Sequence, residues 1–372
     1  MSNLPLVLIT GATGKTGTAT VLALTEEHSA AVRTRALVRR DDHRAQALRD
    51  AGAEVVIGDM ADIRDLRRAM QGVDRAHFLS PISNSSLDFA VNFAVAATEA
   101  RVQHVTALSQ WLSASSHPSV LTRRTWLVDQ LLPWLPHADH TIINVGFFAD
   151  NFLGGLGTAA QLGNFMMPLG AGATAPISNE DIGRVVAGVL ANPAPYVGQT
   201  LRPTGPEVIT AADMAQVLTE VLGRPVSYTE ATEQMGAKAM RALGFPPFAL
   251  AQVVHYMRDF RGGAFACGGT TDVVLQVTGR PAEDFATIAR RYAAADPRVP
   301  RTWANLLRAI AQVASIMMTR PLDAERWQRD NDLPFVAGED AMDATEWVRT
   351  HDVPQAYGVQ SKPSLVALST SG

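Results

Sequence analysis

Cysteine is nearly absent from the chain: among 372 residues there is one, Cys267. A single cysteine cannot form an internal disulfide, which excludes a disulfide-stapled secreted scaffold and leads us to expect a reducing cytoplasm. The flanking Ala266 and Gly268 carry no charge that would activate the thiol, so we interpret Cys267 as structural. Motifs with zinc-site spacing are also absent and the nine histidines are scattered, so we expect no metal.

Charge of one sign and long apolar runs are scarce as well. The net charge of −4 offers no basic field, so a nucleic-acid partner is not expected. The apolar runs are short and interrupted, which predicts no membrane helix. Because residues 1–5 lead straight into the first predicted strand, we expect no signal peptide. With 47% apolar and 18% charged residues, the composition is ordinary for a globular enzyme large enough for two lobes.

What the chain does contain is a glycine-rich turn near its start, where residues 6–17 read LVLITGATGKTG. Aliphatic residues run into Gly11 and a helical pattern follows Gly17, which is typical of the unit that opens a dinucleotide-binding fold. Gly11 permits the tight turn, Gly14 lets the backbone approach a pyrophosphate, and Gly17 lets the helix pack closely on the strand. The N-terminus of the helix, at 13–17, would then face the phosphates.

This turn has two other interpretations. Gly14, Lys15 and Thr16 mimic the end of a P-loop, but that motif needs a glycine where Ile9 stands. A purely structural turn is the remaining alternative.

Strands and helices alternate along the first half of the chain. The strands predicted after the first are 34–38, 53–57, 75–79, 104–108 and 141–145, and helices are predicted at 62–73, 87–100 and 119–132. This alternation predicts an α/β fold with a doubly wound, parallel Rossmann sheet. Ligands of such sheets bind beyond the carboxyl ends of the strands.

From about residue 151 the pattern changes to a glycine-rich, mostly helical one. The stretch 178–181 and Thr210 are predicted to cap helices that end near 190 and 222. Strands are predicted at 199–203 and 226–229, and further helices at 232–244, 247–260 and 282–294. We therefore predict three parts: a Rossmann domain over 1–150 with contributions from about 174–222, a smaller substrate lobe over 151–299, and a helical C-terminal extension over 300–372.

The extension has the periodicity of packed helices. A helix starting near Thr302 would carry one apolar face, made of Trp303, Leu306, Leu307, Ile310, Val313, Ala314 and Met317. Pro321 would end this helix, Asp323 would cap a second one with Trp327, and 343–349 would form a third with Trp347. Because a solvated tail would not need three tryptophans, we expect the extension to fold onto the body and bury them. A dimer contact or a lid over the cleft are the alternatives.

The order of these elements, with the motifs at their ends, resembles the NmrA-like family of atypical short-chain dehydrogenase/reductases over residues 4–295. The motifs are GATGKTG, LVRR after the second strand, GDMAD after the third, NVGFFADNF after the sixth, and PISNEDIGRVVAGVL, TLRPTGPEVIT and VLGRPVSYTE later on. The resemblance implies NAD(P) binding, in a family of quinone and azo-dye reductases and of redox-sensing regulators without catalysis. Family members often carry a lysine or histidine early in the helix at 120–132, followed by a glutamate, whereas this chain has Arg123, Arg124, Thr125 and Trp126, then Asp129.

Residues at the strand ends are the candidates for binding the cofactor. Arg39 and Arg40 follow the second strand, where arginine suits the 2′-phosphate of NADP and an acid would suit NAD; the alternative is a solvated charge run with Asp41, Asp42 and Arg44. NADP(H) is therefore expected, with NAD(H) as the second choice. The full set of candidates is Gly11, Thr13, Gly14, Lys15, Thr16 and Gly17 for the phosphates, Arg39 and Arg40 for the 2′-phosphate, Asp59 and Met60 beside the adenine, Leu79, Ser80 and Pro81 beside the ribose, and Gly146, Phe147 and Phe148 after the sixth strand. Phe147 and Phe148 are alternatively core aromatics.

The tyrosine that acts as the acid in ordinary short-chain dehydrogenases stands four residues before a lysine, and no tyrosine of this chain has that lysine. Ser109, after the fifth strand, lies where it could hydrogen-bond a substrate or the nicotinamide. His117 and Asp129 are further candidates for catalysis. Each of the three has a plain structural alternative.

These observations predict a reductase that transfers hydride from NADPH to an electron-poor small molecule, such as a quinone, an azo compound or a related aromatic acceptor. Such an acceptor can take its proton from water, so the missing tyrosine–lysine pair does not abolish turnover. A non-catalytic NADP-binding redox sensor and a biosynthetic carbonyl or imine reductase are the alternatives. A homodimer is a possible assembly, and no membrane partner is expected.

Overall fold

The computed structural model describes residues 4–333 and 338–352. Eleven strands occur in this part of the chain: β1 Leu6–Ile9, β2 Arg33–Val38, β3 Glu54–Ile57, β4 Arg75–Phe78, β5 His104–Gln110, β6 Asp139–Val145, β7 Asn164–Met167, β8 Ala173–Thr174, β9 Thr200–Leu201, β10 Ile209–Thr210 and β11 Ser227–Glu230. Seven of them form one sheet in the order β3-β2-β1-β4-β5-β6-β9, and every neighbouring pair is parallel. The order reverses between β1 and β4, which is the point where doubly wound sheets bind ligands.

Helices connect and cover these strands. They are α1 Lys15–Glu27, α2 His43–Asp50, α3 Ile63–Ala69, α4 Ser86–Glu99, α5 Val120–Leu131, α6 Ala149–Leu153, α7 Leu156–Leu162, α8 Asn179–Ala191, α9 Ala211–Leu222, α10 Glu233–Ala242, α11 Pro247–Arg261, α12 Val273–Thr278, α13 Phe285–Ala295, α14 Trp303–Met318, α15 Ala324–Asp330 and α16 Thr345–His351. Three short 3-10 turns occur at Leu132–Trp134, Ala194–Tyr196 and Ala264–Ala266.

The sheet is covered on both faces, which explains why its strands are apolar on both sides. All four residues of β1 are buried, as expected for a strand in the interior of a parallel sheet. One face packs on α1, α2, α8 and α12, and the other on α3, α4 and α5. The contact between α1 and α8 is close: a Cβ added at Gly183 would lie 2.6 Å from the carbonyl carbon of Ala19.

The predicted fold class is confirmed, with differences at the element ends. β5 continues to Gln110, so Ser109 lies inside the strand and not after it. The helix predicted at 62–73 begins at Ile63, with Asp62 as its N-cap, and ends at Ala69. Of the segment 174–222, α8 and β9 join the Rossmann layers while α9 packs into a second core. The domain boundaries at 150 and 299 stay a prediction.

The second core lies beside the end of β6. Phe147, Phe152, Phe260 and Phe265 form its aromatic centre, with ring centroids 4.6 to 6.2 Å apart. Two small sheets flank it, the parallel pair β7–β11 and the antiparallel pair β8–β10.

The described part of the extension packs on the body, as predicted, but not in the predicted orientation. Trp347 is 3% exposed and its Nε1 donates to the carbonyl of Trp111 at 3.1 Å. Trp327 is half-buried against Phe248. Trp303, however, is 81% exposed, so the expectation that all three tryptophans are buried is wrong.

The reason for this difference is that α14 docks through polar side chains. Asn305 is buried, and its amide donates to the carbonyls of Pro297 and Pro300 at 3.0 and 2.8 Å. This contact turns the predicted apolar face toward solvent. Residues 334–337 and 353–372 of the predicted extension lie outside the described residues.

Candidate cofactor and active site

The glycine turn after β1 has the conformation that the sequence predicts. Gly11 has φ +61°, in the left-handed region, and a Cβ there would lie 2.7 Å from the carbonyl oxygen of Leu79. A Cβ at Gly17 would overlap the carbonyl oxygen of Gly11. Because Gly11 and Gly17 have no side chains, the turn can lie in close contact with the end of β4 and with α1.

The N-terminus of α1 is open to an anion. Its N-cap, Gly14, has no side chain, and the first turn of the helix contains no acidic residue. Gly14 and Lys15 are exposed and Thr13 is half-buried. Thr16 is buried and donates to Asn179 Oδ1 at 2.7 Å, which links α1 to α8. Because the first N–H groups of a helix have no intrahelical acceptor, this turn fits a pyrophosphate.

Lys15 forms an ion pair on the β6 side of the turn. Its Nζ lies 2.5 Å from Asp150 Oδ2, with the lysine side chain 67% exposed and the aspartate 7%. Partial burial lowers the pKa of Lys15, but the hydrogen bond and charge of Asp150 outweigh it and raise the pKa overall. Nζ also lies 5.9 Å from the ring centre of Tyr292.

A cavity of about 400 Å³ opens beside this ion pair. Its walls combine the charged and aromatic side chains of Lys15, Asp150 and Tyr292 with apolar Leu153. Gly154, Leu156 and the turn before the extension, residues 295–298, contribute the rest of the lining. The volume lies in the range of small-molecule sites.

Arg39 and Arg40 follow β2, and both are exposed. In the described part of the chain, neither guanidinium has a hydrogen bond or an ion pair. The neighbouring acids are already paired, Asp42 with Arg44 at 2.6 Å and Asp41 with Arg49 at 2.8 Å. The hydrogen bond from Arg44 lowers the pKa of Asp42 to about 2. The charge run therefore pairs internally and leaves two arginines for a ligand.

The other candidates for the adenine and ribose lie at the ends of β3 and β4. Asp59 and Met60 are half-buried, and Asp59 Oδ1 accepts from the amide of Ala61 at 2.9 Å. Leu79 is held by Thr10, whose hydroxyl accepts from the Leu79 amide at 2.9 Å. Ser80 and Pro81 follow it at the surface.

The residues after β6 divide between the two cores. Phe147 packs among the aromatic side chains of the second core. Phe148 packs on the Rossmann core and forms an isolated parallel β-bridge with Ile177. Gly146 is half-buried beside the indole of Trp111. These contacts favour a core role for both phenylalanine rings.

Ser109 and Asp129 come together in a buried polar cluster between β5 and α5. Asp129 Oδ2 accepts from the hydroxyls of Ser109 and Ser113, both at 2.6 Å. Asn144 of β6 lies 3.5 Å from the Ser109 hydroxyl. Asp129 Oδ1 is buried and has no hydrogen-bond partner. Burial raises the pKa of Asp129 to about 6, against the opposing effect of the two serine hydroxyls.

His117 does not join this cluster. It is fully buried, its Nε2 lies 2.8 Å from Asp259 Oδ2, and its Nδ1 accepts from the amide of Ser119. Asp259 Oδ1 also accepts from the amide of Ala341, in the extension. His117 therefore ties the start of α5 to α11 and to the extension.

Four residues of this site were missed by the sequence reasoning: Ser113, Asn144, Asp150 and Tyr292. Ser113 stands four residues after Ser109, and Asn144 and Asp150 both lie within the NVGFFADNF motif, so these three had a local signal. Tyr292 had none. Among the described residues there is no group of three or more histidine, cysteine or acidic side chains that could hold a metal. No described helix is long and apolar enough to cross a membrane.

Comparison with known proteins gives a family match and several similar solved structures. Residues 5–118 match the NmrA-like family. An NAD(P)H azoreductase from Xenophilus azovorans is 31% identical over 297 residues, covering 78% of this chain and 99% of the azoreductase. The crystal structure of an NADPH-dependent quinone oxidoreductase from Escherichia coli, complexed with NADPH, matches with a TM-score of 0.68 and 24% identity, over 77% of this chain and 99% of the other. NmrA, a negative transcriptional regulator solved with NADP, matches with a TM-score of 0.67 and 14% identity, over 82% of this chain and 100% of the other.

Proposed function

Since the chain belongs to the NmrA-like family, we propose that it is an NADPH-dependent reductase of electron-poor small molecules, with quinones, azo compounds or related aromatic molecules as acceptors. One observation carries the proposal: the open N-terminus of α1 and the two unpaired arginines after β2 lie at the carboxyl edge of one sheet. The names of the related azoreductase and quinone oxidoreductase support the choice of acceptor class.

The preference for NADPH rests on Arg39 and Arg40. Both guanidinium groups are exposed and free of internal partners in the described residues. A charge-assisted contact with the 2′-phosphate contributes about 1.5–3 kcal/mol. NADH has no 2′-phosphate and cannot form this contact, so it should bind more weakly.

We place the acceptor in the cavity beside Lys15 and Asp150. The cavity lies on the β6 side of the glycine turn, opposite the arginines, where the nicotinamide end of a dinucleotide lies in this fold. Leu153 and the ring of Tyr292 offer apolar surface to an aromatic molecule. Lys15, being 67% exposed, can turn toward a phosphate while Asp150 stays buried.

Bound NADPH supplies the hydride. The chain's own residues orient the two reactants and exclude water from one side of the cavity. Asp129 holds a proton at pH values below about 6, and the Ser109 and Ser113 hydroxyls lie 2.6 Å from its carboxylate. Ser113 is partly exposed and is therefore the member of the cluster that can exchange a proton with solvent. Above pH 6, water supplies the proton of the reduced acceptor.

Two further features follow from the same reasoning. Small molecules are the expected partners, and the single cysteine fits a reducing cytoplasm.

A redox sensor that binds NADP without turnover is the second candidate function, and the absence of the usual tyrosine–lysine pair favours it.

The function is tested by NADPH oxidation with a panel of quinones, azo dyes and ketones. We expect turnover with quinones or azo dyes. Turnover of ketones alone would indicate a carbonyl reductase, and binding of NADPH without turnover of any compound would indicate the sensor.

The cofactor assignment is tested by titrating NADPH and NADH into the wild type and into Arg39→Ala. The variant should bind NADPH about 10- to 100-fold more weakly and bind NADH as before. Arg44→Ala is the matched control, because Arg44 is already paired with Asp42. Equal affinity of the wild type for both cofactors would contradict the assignment.

A further inference from the structure

Helix α14 of the extension presents an apolar face to solvent. Six large side chains on it are exposed, by the fractions Trp303 81%, Leu307 63%, Ile310 50%, Val313 39%, Met317 56% and Met318 79%. The opposite face of the helix packs on α7 and α10. Exposed apolar residues scattered singly are ordinary, but a continuous row along one helix marks an interaction site.

The orientation of α14 is fixed by its inner face. Asn305 donates to the carbonyls of Pro297 and Pro300, and Ala309 is buried beneath the helix. Gln312 Oε1 accepts from the hydroxyl of Thr158 on α7, at 3.1 Å. Because turning the helix would break these bonds, its apolar row cannot be buried within the same chain by rotation.

The spacing of the row is symmetric about its centre. Trp303, Leu307, Ile310, Val313 and Met317 follow one another at intervals of 4, 3, 3 and 4 residues, so Ile310 stands in the middle. Because the α-helix advances 100° per residue, these five side chains fall within about 120° of one side. A second helix running antiparallel across the row meets the same spacing in reverse.

We propose that α14 pairs with α14 of a second copy of this chain, with a two-fold axis passing near Ile310. Trp303 of each copy then packs on Met317 of the other, Leu307 packs on Val313, and the two Ile310 side chains meet at the axis. A two-fold interface uses the same patch on both subunits, and a row with this symmetry is complementary to itself. This inference does not depend on the proposed reductase activity.

The scarcity of charged residues on α14 favours a second copy of this chain over a lipid surface as the partner. Arg308 is the one charged residue within α14, and it donates to Asn305 on the inner side. Helices that lie on membranes carry many lysines and arginines on their polar face. The inner face of α14, which carries Asn305 and Gln312, packs on α7 and α10 instead.

The exposed area is sufficient for a specific dimer. Taking about 60–120 Å² for each aliphatic side chain and 150–250 Å² for each aromatic one, the six exposed residues offer on the order of 400 Å² per copy. Leu162 at the end of α7, together with Leu243 and Phe245 after α10, is also exposed, by 40%, 51% and 44%. Leu162 belongs to α7, and Leu243 and Phe245 follow α10, the two helices that α14 packs on. A two-fold interface that also covers these three residues would bury roughly 1,200 Å² in the pair, above the ~1,000 Å² expected of a biological interface.

The mass of the full-length protein in solution tests the proposal. We expect light scattering after size exclusion, over a series of micromolar concentrations, to give twice the 39.8 kDa of the chain. Ile310→Glu should lower the dimer affinity at least 10-fold. Ala304→Glu adds the same charge away from the row and should leave the dimer intact. A monomeric wild type, or an Ile310→Glu variant that dimerises as well as the wild type, would overturn the proposal.

A cross-link tests the symmetry independently. In a Cys267→Ser background, Ile310→Cys places one thiol of each copy at the proposed axis, and mild oxidation should give a disulfide-linked dimer. Ser315→Cys, on the exposed side away from the row, should not cross-link. Circular dichroism of each variant confirms that it is folded. Equal cross-linking at 310 and 315, or none at 310 in a folded dimer, would contradict pairing about Ile310.

Discussion

Replacing Asp129 by asparagine should change the pH dependence of folding stability in a defined direction. The carboxyl is 7% exposed, and its Oδ2 accepts two serine hydroxyls while Oδ1 has no partner. Burial raises its pKa from 3.8 to about 6. Between these two values the folded protein binds a proton at this site that the unfolded chain has released. The contribution of Asp129 to stability is therefore greatest at low pH and falls as the pH rises through 6.

The magnitude follows from the two pKa values. A carboxyl with a pKa of about 6 in place of 3.8 destabilises the folded protein by about 3 kcal/mol once it is ionised. Part of this loss has already occurred at pH 5, so roughly 1 kcal/mol remains between pH 5 and pH 8. Asparagine does not titrate and has no such loss. Relative to the wild type, Asp129→Asn should therefore be about 1 kcal/mol more favourable at pH 8 than at pH 5.

The assay is urea unfolding of the apo protein at both pH values, with the free energy of unfolding taken from midpoint and slope. Asp343→Asn, which removes an exposed carboxylate, controls for the change in net charge. We expect this control to shift stability equally at pH 5 and pH 8. The reasoning is refuted if the stability of Asp129→Asn relative to the wild type is the same at both pH values, or is more favourable at pH 5 than at pH 8. Asp129 would then not bind a proton in the folded protein with a raised pKa.

Three further variants test other contacts. Gly14→Val should abolish cofactor binding without unfolding the protein, because it puts a branched side chain where the phosphates approach. If the folded variant binds the cofactor normally, the assignment of this turn to the phosphates is wrong. Lys15→Ala leaves the buried Asp150 without its cation, so chemical denaturation should show a loss of about 1–3 kcal/mol, recovered when Asp150→Asn is added. If the double variant is no more stable than Lys15→Ala, the ion pair does not hold Asp150 in place. Trp347→Ala should lower the free energy of unfolding by about 3–5 kcal/mol, and an unchanged midpoint would show that α16 is not part of the folded body.

The parts of the fold that were predictable from the sequence are those with local causes. The glycine turn is such a case, because a left-handed residue at Gly11 and close packing at Gly17 are requirements of the backbone itself. The same holds for the caps Ser178 and Thr210, each of which accepts from a backbone amide three residues on. The strand ends that carry Arg39 and Asp59 also follow from local patterns.

Contacts between distant segments were not predictable in this way. The partner of His117 is Asp259, 142 residues later, and nothing in the sequence around His117 indicates a buried pair. The Lys15–Asp150 pair and the approach of Tyr292 depend in the same way on how α6 and α13 dock.

The helix α14 shows a different limit of sequence analysis. Its periodicity correctly predicts a helix with an apolar face, but periodicity does not say what that face contacts. The buried amide of Asn305, bonded to two proline carbonyls, decides that the face points outward.

The measurement that tests the central claim most directly is a single turnover. The protein is loaded with NADPH, mixed rapidly with a quinone or an azo dye, and followed by the loss of the reduced-nicotinamide absorbance. We predict a rate that rises with acceptor concentration and that slows several-fold when the transferred hydrogen is deuterium. A saturated NADPH complex that keeps its absorbance with every acceptor would contradict the reductase assignment and identify the protein as a binder of NADP without catalysis.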